Sequence, residues 1–143
     1  MLTITLTHRV EMAHRLSHPD APIKCQSIHG HSWRVDVTLT AKELDSCDML
    51  MEFGVFKRAW RAVLDARYDH CLIVARGDVV ADAIRRAHPD ARITEIEAQP
   101  TTESIAQDIA EQTTYLLTRL GAVAILASVH LQETPSNAAS YHV

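Results

Sequence analysis

Four side chains able to do chemistry crowd one short stretch of this 143-residue chain. His14, Cys25, His29 and His31 lie within eighteen residues, with Gly30 between the last two. Three neutral imidazoles suit a divalent ion such as Zn²⁺, and a three-ligand set keeps one coordination position for water or substrate. A fourth protein ligand would close that position. Cys25, four residues before His29, therefore decides the chemistry. As a ligand it completes a structural site, and as a free thiol it is a nucleophile or base beside the ion. On a strand, residues two apart share a face, so His29 and His31 can address one ion, although two buried histidines are equally well satisfied by backbone carbonyls.

The elements that must position these groups are written in the apolar pattern. Leu2, Ile4, Leu6, Val10 and Met12 alternate with Thr3, Thr5, Thr7, Arg9 and Glu11, the signature of a half-buried strand. His14 has the inward parity, and so does His8, which shows that parity alone does not make a ligand. After the loop Ser17-His18-Pro19-Asp20-Ala21-Pro22, Trp33, Val35, Val37 and Leu39 face inward, in phase with His29 and His31. Phe53, Phe56, Trp60, Val63 and Leu64 gather on one side of a helix ending near Tyr68. A shorter helix runs from Asp78 as N-cap to Ala87, before Pro89. Pro100-Thr101-Thr102-Glu103 opens a longer helix with Ile105, Ile109, Leu116 and Leu120 as its stripe and Gly121 as its stop.

Val123, Ile125, Ala127, Val129 and Leu131 predict a last strand, and Glu133 continues their parity. A carboxylate aimed inward is costly unless paired, so Glu133 is either a site residue or lies past the strand's end in solvent. A lone His70 after a helix is ordinarily a surface residue. Asp69 beside it is weak evidence of an orienting pair, because neighbours in an extended chain point to opposite sides.

Composition narrows the classes. With 47% apolar and 22% charged residues the chain can bury one core, and residues 1–143 are expected to form a single domain. A formal charge of −4 with interspersed signs provides no basic stripe for nucleic acid. The nearly apolar run from Gly121 to Val129 is well short of the roughly 20 residues of a membrane helix, and the start lacks a charged signal region. Three cysteines without a C-x-x-C pair fit a reducing compartment, so a cytoplasmic protein is expected.

Taken in order, Val10-Glu11-Met12-Ala13-His14-Arg15-Leu16, Cys25, His29-Gly30-His31, Asp69-His70, Pro100-Thr101-Thr102-Glu103 and Leu131-Gln132-Glu133-Thr134 resemble the 6-pyruvoyltetrahydropterin and 6-carboxytetrahydropterin synthase family. The resemblance implies an α+β tunnelling fold (T-fold), an antiparallel sheet with helices packed on one face. It further implies that His14, His29 and His31 bind zinc and that Cys25 is the catalytic proton acceptor. His70, with Asp69 as helper, would relay a proton. Glu133 would anchor the pterin and couple to that relay, with Thr101 and Thr102 as further substrate contacts. The chemistry is coherent: a pterin edge presents an N–H beside an NH₂, which one carboxylate accepts together, and a thiolate near a cation is a competent base.

The four-residue spacing from Cys25 to His29 is similar to that of bacterial-type 6-carboxytetrahydropterin synthases. The implied reaction converts 7,8-dihydroneopterin triphosphate to 6-carboxy-5,6,7,8-tetrahydropterin, acetaldehyde and triphosphate, on the route to queuosine-type deazaguanines. Arg9, Arg15, Lys24 and Arg34 are the candidate cations for the triphosphate. The family also implies a homo-oligomer, a hexamer built as a dimer of trimers, with active sites at subunit interfaces. Tyr68-Asp69-His70-Cys71-Leu72-Ile73-Val74 departs from the family's usual Leu-Asp-His-x-x-Leu-Asn run, and Met51-Glu52-Phe53 has Glu where members usually carry Asp. Residues 75–99 exceed the corresponding stretch of compact members, as a lid, an interface or a surface excursion. The rival readings are pyruvoyl-type synthesis, a non-catalytic zinc-stabilised binding module with Cys25 as fourth ligand, and a zinc-dependent hydrolase.

Overall fold

The computed structural model describes residues 1–143. Twelve residues of unbroken alternation form β1 (Thr3–His14), which buries Leu6, Val10, Met12 and His14 and exposes Thr5, Thr7, Arg9 and Glu11. A single helical turn, α1 (Ile23–Gln26), leads to β2 (His29–Thr40). The remaining elements are α2 (Phe53–Arg67), β3 (Cys71–Ala75), α3 (Val79–Ala87), β4 (Ile93–Ile96), α4 (Thr102–Arg119), β5 (Ile125–Thr134) and β6 (Asn137–His142). The six strands form one sheet in the order β4-β3-β1-β2-β5-β6.

This is the expected α+β T-fold. Its β1-β2-β5-β6 portion is antiparallel throughout. The antiparallel expectation stops there, because β3 pairs parallel with β1 and β4 parallel with β3. Residues 75–99 are thus no loose excursion: α3 is the crossover of a β3-α3-β4 unit that extends the sheet. Parallel neighbours need such a crossover, and strands of five and four residues are too short to show a period.

The inner face of the sheet packs against α2 and α4 through one apolar cluster that includes Val10, Trp33, Val37, Trp60, Ile109 and Leu131. Glu52 caps α2, its carboxylate accepting the N–H groups of Gly54 and Val55 at 2.7 Å each. Asp78 caps α3 as its position predicts. Two apolar stripes need correcting. Phe53 is exposed in the first turn of α2, where Phe56, Trp60 and Leu64 make the contact. In α4 the buried row is Ile105, Ile109, Thr113 and Leu117, while Leu116 is half-buried and Leu120 exposed. The helix packs along its i, i+4 ridge, and Thr113 stays on that ridge by donating its hydroxyl to the Ile109 carbonyl at 2.7 Å.

The strand expected to be the last is β5, which β6 follows, and its start is also offset. Ala124 and Leu126 are buried while Val123 and Ile125 are exposed, the reverse of the expected parity. A β-bulge is the cause: Thr38 pairs with Ser128 but Leu39 with Leu126, so Ala127 is an extra residue. Beyond it Val129 and Leu131 regain the inward face.

Candidate active site

Register brings the histidines together. His14 at the end of β1 lies directly opposite His29 at the start of β2, and His31 pairs with Met12 one inward position along. All three therefore share the inner face. Their ring centroids are 4.5, 5.4 and 5.2 Å apart for His14–His29, His14–His31 and His29–His31. One ligand atom from each lies within 4.8 Å of the others. Trp33 packs edge-on beneath His14 and His31 and gives its indole N–H to the Met12 carbonyl at 3.0 Å. The triad thus stands on an apolar floor whose one polar atom is already hydrogen-bonded.

Two rings have their orientation set by the backbone. His14 Nδ1 donates to the Pro100 carbonyl and His29 Nδ1 to the Ser27 carbonyl, both at 2.7 Å. A carbonyl only accepts, so each Nδ1 carries a proton, and the tautomer so fixed turns Nε2 of the neutral ring toward a metal. Burial pushes His14 below its ordinary pKa; the Pro100 bond opposes this and the His29 ring adds to it. Burial thereby favours the neutral ring, the form that binds metal.

The Nε2 atoms of His14 and His31 are buried without a hydrogen-bond partner. An unsatisfied buried polar atom costs about 1–3 kcal/mol, so two in one hollow are a reason to expect a cation there. Three imidazoles whose ligand atoms converge in this way fit a divalent metal. Glu133 faces the same place, its Oε1 3.5 Å from His14 Nε2 and 3.6 Å from His31 Nε2. It is half-buried on β5, not solvated past a strand end, and it accepts from the Thr102 hydroxyl at 3.4 Å. The β5–β6 pairing skips it, passing from Gln132 to Thr134, which frees the residue from the regular ladder. Thr101 differs from its neighbour: its hydroxyl accepts the Ser104 N–H as the cap of α4.

Cys25 sits half-buried in α1 as a free thiol and stands outside the three-histidine cluster. The closed site with Cys25 as fourth ligand lacks that ligand here. Asp69 and His70 do form a pair, with His70 Nδ1 2.6 Å from Asp69 Oδ2. The objection that neighbours diverge fails because the chain is not extended: His70 has φ 55°, a left-handed conformation that turns its ring back onto Asp69. Both are tied to one residue of β1. Glu11 N–H donates to Asp69 Oδ1 at 2.8 Å, and the Glu11 carbonyl accepts from His70 N–H at 2.6 Å. Burial pushes the Asp69 carboxyl up, but the Glu11 N–H and His70 outweigh it and hold the group below its ordinary range.

An open cleft of about 420 Å³ is lined by His70 and Cys71 together with Glu11, Gly30, His31 and Ser32, and of the three histidines only His31 reaches it. A roomier apolar hollow of about 570 Å³ lies at the opposite end of the sheet around Met1, Leu2, Leu44 and Ile125, and no site residue lines it. Of the four candidate cations, Arg15 is committed to buried Asp78 and Arg34 is bonded to Asp36. Arg9 and Lys24 are exposed. The residues missed from sequence are those acting through backbone atoms, Ser27, Pro100 and Glu11, for which side-chain type carries no signal.

Fold and site together define a T-fold protein with a three-histidine centre and a separate Asp-His pair. The model of the 6-pyruvoyl tetrahydropterin synthase family matches residues 3–143, and the chain belongs to that family. It is 32% identical over 106 residues to the 6-carboxy-5,6,7,8-tetrahydropterin synthase of Rickettsia bellii, a match covering 72% of this chain and 75% of that one. To the enzyme of the same name in Bacillus subtilis it is 27% identical over 117 residues, covering 82% and 69%. Among solved structures, an uncharacterised protein of Wolinella succinogenes matches with a TM-score of 0.74 at 21% identity, covering 99% of both chains. The Caenorhabditis elegans 6-pyruvoyl tetrahydropterin synthase matches at 0.70 and 21%, covering 99% of this chain and 95% of that one. These structures speak for the fold. No helix is long and apolar enough to cross a membrane.

Proposed function

We propose that this protein is a zinc-dependent 6-carboxy-5,6,7,8-tetrahydropterin synthase that converts 7,8-dihydroneopterin triphosphate to 6-carboxytetrahydropterin, acetaldehyde and triphosphate, supplying queuosine-type deazaguanine synthesis. The observation that carries the reading is the convergence of Glu133 with the free Nε2 atoms of His14 and His31. The Rickettsia bellii and Bacillus subtilis relatives carry the carboxy-type name, and the Cys25–His29 spacing agrees with it.

His14, His29 and His31 would hold the ion, which when bound polarises substrate oxygens and eases loss of a neighbouring proton. Glu133 accepts the pterin's ring N–H and exocyclic amine, fixing the ring, and Thr102 steadies the carboxylate. Thr101, as the cap of α4, holds Thr102 in place. Cys25 takes the proton. Asp69 holds His70 by its Nδ1, which leaves Nε2 to give a proton back elsewhere on the substrate.

The working form is a homo-oligomer, a trimer stacked as a hexamer, in the cytoplasm, with residues 1–143 acting as one domain. Support for assembly comes from the sheet's uncovered face, where Thr5, Thr7, Arg9 and Glu11 meet no helix, and from edge strands β4 and β6. The decisive experiment incubates metal-loaded protein with 7,8-dihydroneopterin triphosphate and measures pterin mass and two-carbon aldehyde together. Equal amounts of carboxypterin and acetaldehyde are expected. A pyruvoyl product without aldehyde assigns the sister activity, and no turnover at all removes the lyase reading.

A further inference from the structure

Cys25 rides on an element that cannot hold itself in place. α1 is one turn of four residues, buries none of them, and begins at Pro22 without a side-chain cap. Such a turn has no intrinsic stability. Its position comes from bonds made by other segments: Leu16 N–H donates to the Cys25 carbonyl at 2.7 Å, and Arg15 Nε to the Gln26 carbonyl at 3.0 Å.

The other end of the Arg15 guanidinium meets Asp78. Asp78 is 3% exposed and uses both carboxylate oxygens. Oδ1 accepts the Val80 and Ala81 N–H groups that open α3, and Oδ2 faces Arg15. Where the same excursion returns, Gln99 Oε1 accepts the N–H groups of Ser17 and His18 at 2.7 and 3.2 Å. The loop carrying Cys25 is therefore gripped from both ends of residues 75–99.

We propose that Arg15 is a positioning residue for Cys25, bridging the Gln26 carbonyl to the buried Asp78 carboxylate, with Gln99 as a second brace. This rests on the reading of Cys25 as the reacting thiol. Residues 75–99 thereby acquire a role, since the β3-α3-β4 unit is the wall against which the loop is fixed. Arginine suits the bridge because its rigid fork reaches two acceptors at once, whereas a lysine ammonium on a flexible stem does not hold that geometry.

The three cysteines make the test internal. Cys47 is exposed, Cys71 is buried and Cys25 is intermediate. Metal-loaded full-length protein is treated briefly with iodoacetamide, and labelling at each site is read by peptide mass. Cys47 then reports reagent, Cys71 global opening and Cys25 the loop. For Arg15→Ala the Cys25-to-Cys47 labelling ratio is expected to rise roughly tenfold while Cys71 stays protected, the pattern of a local opening. Bound zinc should be unchanged, and kcat should fall on the order of tenfold to a hundredfold with KM within about twofold, as expected of a misplaced reacting group. Arg15→Lys should recover only part of this, and Gln99→Ala should move Cys25 in the same direction by less.

An unchanged Cys25 ratio overturns the proposal, and so does a rise shared equally by Cys71. Should Arg15→Ala not fold, Asp78→Asn, which keeps the cap acceptor and loses the charge, gives the same reading, with an unchanged ratio again overturning it. Alkylation needs no substrate. A shifted ratio in a protein that turns nothing over therefore supports the brace while removing the lyase reading.

Discussion

His14 and His70 are the same residue type in opposite settings. His14 is 4% exposed, wedged between Trp33 and His29, and reaches its place only because two strands pair in one register. The His70 side chain is 74% exposed, and its partner is the preceding residue. The triad is a product of register, so its members stand or fall with the sheet. The dyad is a product of one left-handed residue and two bonds to Glu11, so it can be altered without disturbing the sheet. Burial makes the triad nitrogens costly unless occupied, whereas His70 is exposed and lines an open cleft.

The largest effect should come from breaking the triad. His29→Ala is expected to abolish stoichiometric zinc, measured by elemental analysis, and to cost more activity than the roughly 10–100-fold typical of losing only a supporting partner of a ligand. Zinc retained at full occupancy in that variant would sink the three-histidine centre. Cys25→Ala comes next and sharpens the contrast, because the residue lies outside the cluster. Zinc should stay bound while turnover drops by about 10²–10⁴, the range for a lost general base. Zinc lost together with the fold would instead make Cys25 a ligand.

Breaking the dyad at His70 should be milder and should leave zinc bound. His70→Ala is expected to lower kcat by about 10²-fold, at the low end of general acid–base contributions. Residues acting as a unit are non-additive, so Asp69→Asn combined with His70→Ala should cost no more than His70→Ala alone. Multiplying losses would show two independent roles.

The smallest effect is on stability against pH. The folded Asp69 carboxyl lies below its ordinary range, so its contribution is present above the unfolded pKa of about 3.9 and is lost as pH falls through the folded value. The stability gap between wild type and Asp69→Asn, measured by urea denaturation, should therefore be widest near neutral pH and narrow on acidification. A gap that widens in acid would contradict this environment for Asp69.

Legibility followed how local each cause was. Asp78 as a cap and Thr101 at the head of α4 were readable because a cap acts within three residues. Thr113 was not, since a polar residue on a buried ridge is hidden unless its bond to the preceding turn is seen. The Ala127 bulge was unreadable for a different reason. An inserted residue changes parity without changing the apolar count, and only the pairing with β2 reveals it. The strands β3 and β4, parallel and only five and four residues long, carry too few residues for a period to show.

By itself the sequence determined which side chains face inward on β1 and β2, because a strand's period of two depends only on the chain's own geometry. It thereby put His14, His29, His31 and the core on common faces. Tertiary structure alone decided that His14 stands opposite His29, that Glu133 reaches both free nitrogens, that His70 turns back onto Asp69, and that Arg15 locks Cys25's loop against Asp78. Each of these depends on atoms brought together by register, a bulge or a backbone carbonyl, and such distances are properties of the packed sheet, which spacing along the chain does not encode.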